Sequence, residues 1–231
     1  MSKRLIVILL LSGLALVVLS QWLLPSVLSR VMTNGLMELV HSDQVAVKLE
    51  KTPGFLMLGG GFDTITLDAA QAQVDKLTFS ELHAVLTDVQ LDMPALLGQR
   101  AVKLTSVGTV DLAVVLTANE LAAYLNQSVK GIRNAAVTVT PDKVQVSSNF
   151  SIGGFANLAI TLEGKVVGNG QKITFVTERF LLNNNLVGNL GGAVLTEIPL
   201  VDLKKLAFNV SARDVVMEHG KVTIHTDNRS R

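Results

Sequence analysis

The sequence predicts an α+β protein: an N-terminal transmembrane helix, then a long amphipathic helix wrapped by a strongly curved, mainly antiparallel β-sheet. Three observations carry this expectation. Residues Leu5 to Ser29 hold no charged side chain. Beyond them, apolar residues recur about every four positions. From Val45 onward the recurrence shortens to two.

The first element follows from length and polarity. Leu5 to Leu24 would rise about 30 Å as a helix, enough to cross a hydrocarbon core. Lys3 and Arg4 precede the run, and the positive-inside rule keeps them cytoplasmic, which puts the main domain on the extracytoplasmic side. Trp22 falls at the far end, where an amphipathic ring suits the lipid–water boundary. A cleaved signal peptide is the rival reading, with Val18-Leu19-Ser20 as a poor small-x-small site. The anchor is favoured because the apolar run continues through Trp22-Leu23-Leu24. Residues 1–25 are therefore expected as a single-pass anchor or uncleaved signal segment, and 26–231 as one extracytoplasmic domain.

The second element is the stripe Val27/Leu28, Val31/Met32, Gly35/Leu36 and Leu39/Val40, separated by Arg30, Thr33, Asn34 and Glu38. That spacing makes an amphipathic helix from about Ser26 to His41, with Pro25 opening it or bending the chain out of the membrane. Strands follow. Val45, Val47 and Leu49 alternate with Ala46, Lys48 and Glu50, and Ile65, Leu67 and Ala69 with Thr64, Thr66 and Asp68. The series Val110, Leu112, Val114, Leu116 and the series Leu158, Ile160, Leu162 repeat the pattern. Turn residues separate the runs at Pro141-Asp142-Lys143, Gly168-Asn169-Gly170 and His219-Gly220-Lys221. Thr117-Ala118-Asn119-Glu120 reads as a capping box, opening a short helix to about Val129. Leu181 to Leu195 is expected as a weak helix, and Asp202 as the cap of a turn through Leu206.

Composition narrows the function classes. A net charge of +1 gives no long-range attraction for nucleic acid or an anionic surface. Hydrophobic residues are 48% and aromatics 4%, so the apolar content is aliphatic and must be buried in a core, a partner or a ligand. The chain has no cysteine, which excludes thiolate metal sites, cysteine nucleophiles and acylation of a lipoprotein cysteine.

Catalytic signatures are missing. Gly59-Gly60-Gly61 lacks the lysine and hydroxyl residue of a P-loop and reads as a bend before a strand. His41, His83, His219 and His225 are scattered. Asp63, Asp68, Asp75, Glu81, Asp88 and Asp92 sit at strand spacing that turns them to solvent. No Gly-x-Ser-x-Gly elbow occurs. No enzymatic activity, cofactor or metal is expected.

Three stretches carry a resemblance. They are Gly61-Phe62-Asp63-Thr64-Ile65-Thr66-Leu67, then Leu104 to Val107 running on to Thr117 through Leu125, and Ile198-Pro199-Leu200 with the closing hairpin Val215 to Ile224. In their order the chain resembles the LmeA-like family of bacterial envelope phospholipid-binding proteins, over about residues 30–228. The resemblance implies a TULIP-type tubular fold, a curved antiparallel sheet on a long helix. It further implies binding of phospholipid acyl chains in support of envelope lipid transport or maintenance. It transfers no site residue. The residues expected to line the apolar space come from the helical stripe and the strand alternation: Leu28, Met32, Leu36 and Leu39 on the helix, with Leu67, Leu112, Val114, Ile160 and Leu162 on strands. The competing expectation is a structural or assembly protein of the envelope that turns the same apolar face to a protein partner.

Overall fold

The computed structural model describes residues 3–152, 156–183, 185–186, 196–206 and 209–229. It is α+β and mainly antiparallel. The chain divides into two compact units, one from the residues up to Ala69 with Ala84–Val110, the other from Ala70–His83 with the residues from Asp111 on.

The first unit opens with α1 (Lys3–Val40), one continuous helix. This corrects the expectation of a separate helix from Ser26, because Pro25 lies inside α1 and does not start a new element. A proline costs a helix one N–H and crowds the carbonyl four residues back, which is tolerable where the turns on both sides are otherwise intact. The side chains of residues 1–12, 14–16 and 22 lie outside the described set. Among the described residues no helix is long and apolar enough to cross a membrane.

Leu28, Met32 and Leu36 are buried on one face of α1. Gly35 lies on the same side, and a Cβ there would stand 2.5 Å from the Arg100 carbonyl oxygen. The helix ends with His41 at φ 48 and the Ser42 N–H donating back to the Met37 carbonyl at 3.2 Å, a left-handed stop without glycine. Next come β1 (Gln44–Glu50), a 3₁₀ turn (Gly54–Gly59) and β2 (Gly61–Val74). The hairpin partner is β3 (Leu77–Leu91), followed by α2 (Met93–Gln99) and β4 (Leu104–Ser106). In this unit β1, β2 and β3 are neighbours in that order, with β4 on β3. Gly60, at φ 83, makes the bend expected of the glycine run.

The second unit takes the far halves of β2 and β3, then β5 (Val110–Thr117) and α3 (Ala118–Ser128). The capping box is present, with Thr117 and Glu120 satisfying each other's backbone N–H groups. A second sheet holds β6 (Ile132–Val139), β7 (Val144–Ile152), β8 (Ala156–Asn169), β9 (Lys172–Leu182), β10 (Asn185–Leu186) and β11 (Glu197–Asp202). A 3₁₀ turn capped by Asp202 follows, then the hairpin β12 (Ser211–Glu218) and β13 (Lys221–Asp227), which adds to β5. Among the described residues neither sheet closes into a ring.

Two expectations change here. Leu181 and Leu182 end β9 and pair with Leu186 and Asn185 of β10, so the helix expected over Leu181–Leu195 does not form where it is described; residues 184 and 187–195 lie outside the described residues. Asn183 takes a left-handed φ of 49, a conformation that turns a strand and breaks a helix. The β8–β9 turn falls at Gly170-Gln171, while Gly168 remains in β8 for another reason. A Cβ at Gly168 would lie 2.5 Å from the Ala212 Cβ, so β12 crosses there only because no side chain intervenes.

Candidate functional site

In the second unit, the second sheet offers a continuous aliphatic face. Successive β8 residues Ile160, Leu162, Gly164 and Val166 point inward, while Lys165 and Glu163 point outward. Antiparallel partners share a face, so Ser148 sits beside Ile160, Val146 beside Leu162 and Phe175 beside Val166. Val146, Leu162 and Phe175 are fully buried. A bulge at Glu163/Gly164 shifts β9 by one residue, so the positions that share the inward face of β8 are odd up to Thr177 and even beyond it. That shift brings Phe180 and Leu182 onto the same face.

At this end the covering thins. Phe150, Leu158, Phe180 and Leu182 are only half-buried, and they surround Ile160 on the face that continues inward to Leu162. The Ser148 hydroxyl is buried there and finds no hydrogen-bond partner among the described residues. The outer face of the sheet is charged. Lys143 and Arg179 flank Glu163, and the Lys143 ammonium chiefly holds its carboxyl below the usual carboxylate range. Such a sheet has one face for water and one for hydrocarbon.

The nine expected lining residues divide between the units. Leu28, Met32 and Leu36 share the buried face of α1, and Leu67 is half-buried on β2 between Ile65 and Ala69. Leu39 departs from the expectation at 66% exposed; α1 stops one residue later and the chain turns away, leaving its last turn uncovered. In the second unit, Val114 is buried opposite Ile224, and Leu112 is half-buried opposite Thr226. Ile160 and Leu162 lie together on β8. Phe150, Phe180 and Leu182 escaped sequence reading. The β9 alternation with one residue skipped is the signal that could have found Phe180 and Leu182, and Phe150 continues the β7 alternation two residues past Ser148.

The first unit carries a different apolar feature. Phe55, Leu56 and Leu58 of the 3₁₀ turn are 43%, 44% and 58% exposed, whereas Met57 between them is fully buried. Val18, Leu19, Leu23 and Val27 of α1 are also more than half exposed. The run Phe55 to Leu58 is too short and too unbroken for either periodicity to register it.

A cleft of about 320 Å³ in the second unit is polar, with Gln71, Gln73, Lys76, Asn119, Glu120 and Tyr124 among its lining. Gln71 donates to Glu120 at 3.1 Å, and the Tyr124 hydroxyl donates to the Pro199 carbonyl at 2.7 Å. Burial raises the Tyr124 hydroxyl above its ordinary range. These walls suit water and amide chemistry, not an acyl chain. Among the described residues no group of three His, Asp or Glu side chains gathers as a metal site.

The model of the family described as LmeA-like phospholipid-binding matches residues 19–227, nearly the whole chain. The chain is a member of that family. Neither a curated relative nor a solved structure gives a match.

Proposed function

We propose that this chain is a membrane-tethered module that binds phospholipid acyl chains on the extracytoplasmic side and supports envelope lipid transport or maintenance, without making or breaking bonds. The observation that carries the reading is the match to a phospholipid-binding family over residues 19–227. The aliphatic face of the second sheet supports it, since hydrocarbon laid along Phe150, Leu158, Ile160 and Leu182 would leave water without exposing a charge. A 16-carbon chain gains about 12 kcal/mol at about 0.8 kcal/mol per methylene, enough to survive the cost of association. The uncharged run Leu5–Ser29 supports the tether.

Native mass spectrometry of the detergent-solubilised full chain tests the binding. A phospholipid adduct that persists after detergent exchange is expected, together with its loss in Ile160→Asp. A chain free of lipid that also fails to take up added phospholipid refutes the proposal. Protease protection in sealed vesicles tests the orientation.

A further inference from the structure

The 3₁₀ turn Gly54–Gly59 is held rigidly with its apolar side chains outward. At its base the Lys51 ammonium meets the Asp63 carboxylate at 2.6 Å, and the Thr52 N–H donates to the other carboxylate oxygen at 3.1 Å. At its far end Gln90 donates to the Gly59 carbonyl at 2.7 Å, and the Leu91 N–H donates to the Gly60 carbonyl at 2.8 Å. Met57 is the inward peg. Between the paired charges of Lys51 and Asp63, residues 52–62 carry no charge. A loop that was merely greasy would collapse onto its own unit; this one is clamped so that Phe55, Leu56 and Leu58 face out.

Its place on α1 identifies the occupant. A Cβ on Gly54 would stand 3.1 Å from the Ser20 carbonyl oxygen and 3.1 Å from the Gln21 Cα, so the turn lies directly against that part of the helix. Ser20-Gln21 is the first polar pair in the uncharged run of α1, just before Trp22. The exposed Val18, Leu19 and Leu23 flank the same level. A protein partner generally meets an apolar patch through a charged or polar rim. Here the nearest charges, Lys51 and Asp63, are spent on each other at the base of the turn, and residues 52–62 offer a partner no charge to pair with, which a bilayer does not require.

We propose that the turn Gly54–Gly59 is a second membrane contact, in which Phe55, Leu56 and Leu58 enter the interfacial layer of the bilayer that holds α1. The inference rests on the tether proposed above, and the test separates the two. The chain has no cysteine, so single cysteines can be placed and labelled with an environment-sensitive dye in the full chain. The positions are Leu58→Cys, Val18→Cys on α1 and Lys48→Cys, whose side chain is 74% exposed. Each is reconstituted in phosphatidylcholine–phosphatidylglycerol vesicles doped with a nitroxide-bearing lipid. The expected result is blue-shifted, lipid-quenched emission at positions 58 and 18, with neither change at 48. Quenching at 18 without quenching at 58 overturns the second contact and leaves the tether intact. A blue shift at 58 without quenching means a protein covers the turn, and also overturns it. Quenching at 58 alone overturns the tether and keeps the contact; quenching at neither overturns both.

Discussion

Gly164 is the most demanding position in the second sheet. It lies on β8, facing inward between Val144 of β7 and Thr177 of β9, where the bulge draws β9 close. A Cβ added there would meet the Val176 carbonyl oxygen at 2.0 Å, its carbonyl carbon at 2.8 Å and the Thr177 Cα at 2.9 Å. All three obstacles are backbone, so no rotamer change relieves them and β9 itself must move. Overpacking of this kind costs about 1–3 kcal/mol, and a backbone obstacle places Gly164→Ala in the upper half of that range. For a chain of this size about 2–3 kcal/mol lowers the melting temperature by about 4–12 °C. Far-ultraviolet circular dichroism of the detergent-solubilised chain reads the shift. Gly98→Ala is the matched control, since nothing lies within 4 Å of its added Cβ and α2 is helical there. Alanine should stabilise that site by about 0.5–1 kcal/mol. Opposite signs are expected from the same chemical change. A Gly164→Ala chain that melts with or above the parent refutes the assigned β8–β9 approach. The variant should also carry less lipid, because the β9 strand it displaces holds Phe180 and Leu182.

Thr117→Ala removes the side-chain half of the capping box and should cost about 1 kcal/mol, with faster amide exchange confined to the first turn of α3. Asp63 is held below the usual carboxylate range, first by Lys51 and then by the Thr52 N–H. Its contribution is therefore present above the unfolded value of about 3.9 and fades as pH falls through the lower folded value. Carboxyl chemical shifts should show that depressed midpoint, and Lys51→Met should return it toward 3.9; a midpoint that ignores Lys51 refutes the clamp. Tyr124→Phe deletes the bond to the Pro199 carbonyl and should cost about 0.5–1.5 kcal/mol in chemical denaturation, without changing lipid content.

Local chemistry made much of this architecture legible. Thr117 and Glu120 announce α3 because a capping box needs only four residues. Pro141 and Gly220 announce their hairpins because turn geometry is local too. What escaped depends on distant chain. Asp88 and Gln71 adopt left-handed φ angles of 50 and 52 inside strands, and shifts of that sort break the two-residue rhythm at points that only the partner strand dictates. Leu182 looked helical because its spacing to Leu186 is four, yet Asn183 turns the chain back, and a hairpin pairs Leu182 with Asn185 and Leu181 with Leu186. Pro25 looked like a boundary because a proline's own cost is visible in sequence, whereas the packing that carries α1 through it is not. Of the apolar surfaces, the β8 rail follows from alternation, and the turn at Phe55 follows from no period at all.

The unbroken course of α1 has a mechanical consequence. A domain on a loose leash samples a hemisphere, and its reach is set by chance. Here the helix that leaves the apolar segment near Leu24 is already the helix packed into the first unit at Leu36, about 18 Å further along at 1.5 Å per residue. If the proposed tether holds, that unit would stand at a fixed height above the lipid headgroups, like a lamp on a rigid post. Whatever it received would then have to come from the membrane at its foot or from something tall enough to meet it.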